Sequence, residues 1–165
     1  MKQQNGFTLI ELIIVIVILG ILAVTAAPRF IDIQSDARKE TMQGVKAAIQ
    51  GASQLVYAKS AIAGVQKSAA GTVTISGDTV NTAFGYPDAD IMDTAAQVNR
   101  FVDIDLSAGA DFQFSKVAAG DDAFRIGYVL TLTDPGDTNS ACYIEYVNAA
   151  SAGATPTFNT VDGEC

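Results

Sequence analysis

Three groups of residues in this 165-residue chain could carry chemistry. The first is Glu11, a carboxylate four residues after Phe7 in a run, Phe7–Ala27, that is otherwise almost wholly apolar. An acid at a bilayer centre costs about 2.5–3.5 kcal/mol, and less near an interface. One turn into a helix it also lies near the positive end of the helix dipole. The second group is Cys142 and Cys165. An even, low count fits either one disulfide in an exported protein or a pair of free thiols. The third is a pair of Asp-rich stretches, "YPDADIMD" and "DPGDTNS". Their oxygens suit Ca²⁺, but neither follows the EF-hand ligand pattern, and Asp and Asn favour turns for local backbone reasons. No metal site is predicted from them. The chain has no His, which removes Ser-His-Asp triads, His-ligated zinc and the usual general base. With no nucleophile–base pair, metal cluster or phosphate loop, the expectation is no catalytic residue, no enzyme activity and no cofactor.

Charge narrows the partners. The net charge is −8 and unevenly spread: residues 1–67 carry +3, whereas residues 68–165 carry −11. Phosphate contacts need clustered Lys and Arg, so nucleic-acid binding is not expected. Most of the acids read as a solvated surface.

These residues need elements to position them. Phe7–Ala27 as a helix would rise about 30 Å, enough to cross a bilayer. A conventional signal peptide would be cut after such a run. "AVTAA" offers the small residues for that, with a mature start near Ala27 or Pro28. Pro28 removes a helical hydrogen bond and tends to kink the helix, although helices do continue across proline. Beyond it Met42, Val45, Ile49, Ala52 and Val56 recur at spacings of three and four, with Ala63 one heptad on. Ala48, Leu55 and Ile62 flank this stripe, and Lys39, Gln43, Lys46 and Gln50 line the opposite side. The pattern predicts an amphipathic helix to about Ala63. Gly44 and Gly51 inside it lower its intrinsic stability by about 1 kcal/mol each relative to Ala.

After Gly64 the period changes. "GTVTISGDTV" predicts a hairpin turning at Gly77-Asp78. "FGYPDAD" reads as a loop, and "DIMDTAAQVNRFV" as a short helix with Asp90 as N-cap. "DFQFSKV", "AFRIGYVLTL", "CYIEYV" and "TPTFNTV" read as strands, with the turn-rich separators "AAGDD" and "DPGDTNSA". The expected fold class is α+β. A long N-terminal helix has a protruding apolar half, and its amphipathic half packs on a C-terminal antiparallel sheet. The segments are an apolar transmembrane or assembly helix over 7–28 and a globular head over 29–165. The head divides into the amphipathic helix (29–63), a connecting αβ region (64–110) and the sheet with the C-terminal region (111–165).

"GFTLIE" at the junction of polar head and apolar run, Gly20 and Pro28 in the helix, and "AAPRF" and "DARKETMQGVKAAIQGA" beyond it carry a resemblance. The chain resembles type IV pilin precursors, most closely the major pilins of mannose-sensitive haemagglutinin pili, over roughly its first third. The resemblance implies that residues 1–6 are a leader. Prepilin peptidase would cut between Gly6 and Phe7 and methylate the new Phe7 amine. Glycine there has no side chain to obstruct an intramembrane protease. Glu11 of an incoming subunit would pair with the Phe7 amine of a subunit already in a filament, an ion pair that orients more than it stabilises. The alternative for Glu11 is an acid snorkelling to the interface. Gly20 and Pro28 would bracket a segment that melts on assembly; the alternative is a small packing residue and a kink. Cys142 and Cys165 would form the C-terminal disulfide of such proteins.

The implied role is a structural subunit polymerising into a pilus for surface attachment, haemagglutination and biofilm formation. The implied partners are further copies of the chain, prepilin peptidase, the inner-membrane assembly platform, the inner membrane before assembly, and host or surface glycans. The implied location is the inner membrane, then the outside of a Gram-negative cell. Type II secretion pseudopilins share the N-terminal motif. The cysteine pair and the stretch from "AAPRF" to "GVKAAIQGA" favour a pilin over them. A secreted enzyme or binding protein behind an ordinary signal peptide is the reading from a different class.

Overall fold

The computed structural model describes residues 7–117, 122–129 and 141–165. "DPGDTNS" and Gly6 lie outside them. The backbone is helical from Leu9 to Ile62 (α1), with Gly20 and Pro28 both inside the helix. The chain divides into two compact units between Ala37 and Arg38.

In the second unit, α1 turns Met42, Val45, Ile49 and Val56 inward, and all four are buried. Fully burying such side chains stabilises by about 1.5–3 kcal/mol each. The buried stripe then drifts. Ser53 and Ser60 complete it, donating to the carbonyls of Gln50 at 2.8 Å and Val56 at 3.0 Å, so neither buried hydroxyl is left unpaired. Ala63, expected one heptad along the stripe, is exposed, and so are Leu55 (50%) and Ile62 (85%). A helix of 3.6 residues per turn carries a strict seven-residue spacing off its face. The helix stops one residue before Ala63. Gly64 takes φ 73°, Val65 N–H donates to Ser60 O at 2.9 Å and Gly64 N–H to Ala61 O at 3.2 Å. This is a Schellman cap, and glycine adopts its left-handed position without steric cost.

Two antiparallel sheets cover this helix face. The first holds β1 (Gly71–Ile75), β2 (Asp78–Ala83) and β3 (Tyr86–Pro87), in that order. The hairpin turns at Ser76-Gly77, one residue earlier than expected. Ile75 pairs with Asp78, and Ser76 and Gly77 have φ of 52° and 98°. Both central residues at positive φ match the strand twist. The stretch expected as a loop contains β3, followed by a 3-10 turn at Ala89–Ile91. Asp90 is not an N-cap. Asp88 caps the turn, accepting from Asp90 N–H at 3.1 Å. The short helix α2 (Ala95–Val98) starts at Thr94, whose N–H donates to Gln97 Oε1 at 2.9 Å.

The second sheet is a meander of β4 (Gln113–Lys116), β5 (Ala123–Val129), β6 (Cys142–Val147) and β7 (Thr157–Val161). Phe124 and Tyr146 stack with ring centroids 4.9 Å apart, and Phe158 meets Tyr146 edge-on at 5.4 Å. On the other face Arg125 and Glu145, register partners, form an ion pair of 2.8 Å. The fold is therefore α+β, an N-terminal helix with C-terminal antiparallel sheets.

Side chains of the second sheet also hold the turn after β3. Tyr146 Oη donates to Pro87 O at 2.8 Å, and burial pushes its phenol well up, so it remains a donor. Asn148 accepts from Ala89 N–H at 2.8 Å and donates to Asp88 Oδ1 at 2.9 Å. Lys116 Nζ donates to the Asp90 carbonyl and to Asp93 Oδ1.

The register shifts between Gly127 and Val129. A Cβ on Gly127 would overlap the Cys142 carbonyl oxygen and the Tyr143 backbone. Neither neighbour can move without breaking the β5–β6 ladder. Gly127→Ala should therefore destabilise the fold by about 2–3 kcal/mol, the cost of an overpacked site. Thermal unfolding of the variant with an unchanged midpoint would contradict this.

Candidate functional site

The N-terminal segment is apolar and uncovered. From Phe7 to Val24 every residue is exposed, and only Thr8, Glu11 and Gly20 are not hydrophobic. Side chains of the same type stand on every side of the helix, so no turn of it is amphipathic. Soluble helices keep a polar face for water; a helix apolar all round is ordinarily buried.

Glu11 has a local task. Its Oε2 accepts from Thr8 N–H at 2.9 Å and from Thr8 Oγ1 at 2.8 Å, while Glu11 N–H donates to Thr8 Oγ1 at 3.3 Å. This reciprocal arrangement is a capping box, which satisfies N–H groups that the first turn of a helix leaves without partners. Thr8 is a site residue beyond those expected from the sequence. Its signal was legible, because Thr8-Leu9-Ile10-Glu11 follows the S/T-x-x-E pattern just ahead of an apolar run.

The other candidates are spread along the chain. Phe7 adjoins the capping box and is 90% exposed. Gly20 lies in the apolar part of α1, and a Cβ there would meet nothing within 4 Å beyond its chain neighbours and the adjoining helix backbone. Pro28 is further along the same helix. Nothing in the described residues brings Gly20 or Pro28 to Glu11. Among the described residues, no helix is long and apolar enough to cross a membrane. Leu9–Val24, where the side chains are described, rises about 24 Å, short of a hydrocarbon core of about 30 Å.

Cys142 and Cys165 are joined, with Sγ atoms 2.01 Å and Cα atoms 5.0 Å apart. Both are buried. The bridge ties the C-terminal segment to the start of β6. Glu164 N–H donates to Ala141 O at 3.2 Å, and the Arg38 guanidinium donates to Cys165 O at 3.5 Å. Among the described residues, no cluster of three or more His, Cys, Asp or Glu side chains could hold a metal ion. In "YPDADIMD", Asp88 and Asp93 are engaged by Asn148 and Lys116.

Comparison with known proteins finds similarity over part of the chain. Residues 1–27 match the family described as the prokaryotic N-terminal methylation motif. A stretch of 50 residues, 30% of this chain, is 51% identical to the type IV narrow pilus major component PilA5 of Thermus thermophilus. That match spans 43% of the relative's length. No solved structure matches the chain.

Replacing Cys142 and Cys165 together by Ser should lower the stability of the second unit by about 3 kcal/mol, the loop-entropy contribution of such a bridge. Far-UV circular dichroism should keep its helical signal, because α1 is capped at Gly64 and shares its core with many residues of both sheets besides the bridge. An unfolding midpoint that does not fall would show that the bridge contributes nothing.

Proposed function

We propose that this chain is a structural subunit that polymerises through its N-terminal helix into a type IV pilus. The carrying observation is the helix segment from Phe7 to Val24, apolar on all sides and exposed throughout. Exposed apolar area of this extent is stable only when lipid or protein covers it. The methylation motif over residues 1–27 and the identity to a pilus component support the same reading. The role assigned is architectural, with no catalysis on the chain.

In this reading prepilin peptidase cuts after Gly6 and methylates the Phe7 amine. Residues 7–28 are held in the inner membrane until the assembly platform draws the subunit into the filament. The filament is the extracellular pilus of a Gram-negative cell, of the mannose-sensitive haemagglutinin kind, used for attachment and biofilm formation. Glu11 pairs with the Phe7 amine of the preceding subunit, exchanging part of its own capping box for a charge partner that exists only after cleavage. An ion pair among apolar helices fixes register, which a helical polymer requires at every step. Gly20 and Pro28, the weakest helix formers in the segment, bracket the part that extends on assembly.

Two outcomes test the proposal. N-terminal sequencing of the main protein in purified surface filaments should begin at Phe7; a start near Ala27 or Pro28 would mean an ordinary signal peptide. Cells carrying only Glu11→Val should insert and process the protein normally yet yield few filaments, and a wild-type filament yield from that variant would reject the pairing role.

A further inference from the structure

On one flank of α1, within the second unit, lies a groove of about 480 Å³. Val45 and Ala48 of the helix and Phe112 ahead of β4 give it an apolar lining, and Asp103, Asp105 and Asp111 stand along it. All three Asp residues are exposed. Among the described residues, no Lys or Arg lines the groove and none of the three acids forms an ion pair. Ser107 N–H and Oγ donate to Asp105 Oδ1 at 3.0 and 2.6 Å, which holds that carboxyl below its usual range and keeps it charged. An apolar slot edged by acids fits a surface that presents hydrophobic side chains with a cation among them.

The chain carries such a surface further along the same helix. Leu55, Lys59 and Ile62 follow an i, i+4, i+7 spacing, so they share one face of α1. All three are exposed, and Lys59 forms no ion pair among the described residues. Five residues beyond Ile62, Lys67 adds a second exposed cation. Burial of the stripe within its own chain is sterically barred. Ala48, in the groove, precedes Leu55 and Ile62 by 7 and 14 residues of one continuous helix, a rise of about 10 and 21 Å. A helix cannot fold one of its stretches onto another, so only a second copy can bring the stripe to the groove.

We propose that the groove edged by Asp103, Asp105 and Asp111 takes the Leu55–Lys59–Ile62 stripe of a second copy of this chain. The two surfaces differ, so each copy offers its stripe to one neighbour and its groove to another. A contact of this heterologous kind runs on from copy to copy instead of closing on a pair. The proposal deepens the assembly reading above and rests on it for the common orientation of the copies. With all N-terminal helices pointing one way, two copies cannot exchange both contacts with each other.

The test places cysteine pairs in the full chain, made in cells. Leu55→Cys or Ile62→Cys is combined with Ala110→Cys in the groove, and a mild oxidant joins thiols that already touch. The native Cys142–Cys165 bridge is closed and buried and does not compete. At least one pairing should give a ladder of dimers, trimers and larger species on non-reducing gels, while each single-cysteine chain stops at a dimer. Both pairings stopping at a dimer, the outcome for a two-fold pair, or staying monomeric would overturn the proposal. Lys59→Glu, added to the ladder-forming chain, should cut the species above the dimer about tenfold. Adding Asp103→Lys or Asp111→Lys to that chain should restore them in at least one case. A ladder indifferent to Lys59→Glu, or a loss that neither exchange restores, would reject the contact. Filaments are counted separately by electron microscopy of cells making the wild-type chain. Normal filaments with no ladder from the paired variants reject the contact and leave the assembly reading intact. A ladder where the wild-type chain gives no filaments supports the contact and counts against the assembly reading.

Discussion

Between Leu9 and Val24 the helix carries Leu, Ile and Val on every side, and solvent reaches all of them. Each square ångström left uncovered forgoes about 25 cal/mol of stabilisation. The same helix, past Arg38, gathers Met42, Val45, Ile49 and Val56 on one stripe and buries them under its own sheets, leaving Leu55 and Ile62 exposed. One element thus obeys two rules. Its second half finds its partner within the chain, and its first half must find one elsewhere. The capping box of Thr8 and Glu11 follows from that demand. A helix without tertiary support at its start needs its first turn closed by its own side chains.

The sheets depend on the buried stripe in turn. Phe124, Ile126, Ile144 and Tyr146 face the core, and the polar pair Arg125 and Glu145 sits on the opposite face of the same strands. Among the described residues, the two sheets meet through polar groups at the turn at 87–93. A buried tyrosine and an asparagine side chain reach it there.

Periodicity made most of this legible. The amphipathic stripe, the hairpin, the four strands of the meander and their order all follow from apolar spacing and turn residues. What escaped had physical causes. The hairpin turn lies at Ser76-Gly77 because a turn of two left-handed residues tolerated serine at its first position; the glycine-first reading shifted it by one. Asp88 rather than Asp90 caps the turn because Asn148, sixty residues away, holds it there, and no local window contains that contact. Ser53 and Ser60 replaced Ala63 in the stripe because each can satisfy its hydroxyl on its own helix. Thr8 is legible in the same four-residue pattern as the more conspicuous carboxylate of Glu11.

The grips on that turn have a consequence for how the protein can change. Tyr146 and Lys116 hold the carbonyls of Pro87 and Asp90, and Asn148 holds the Ala89 amide; of the turn's own side chains between 87 and 91, these grips use only Asp88. Backbone groups are the same whatever residue carries them. The side chains at 90 and 91 can therefore be exchanged over generations while the turn keeps its shape. In the filament proposed above, the exposed side chains at 90 and 91 can therefore vary while the grips that keep the head folded stay the same.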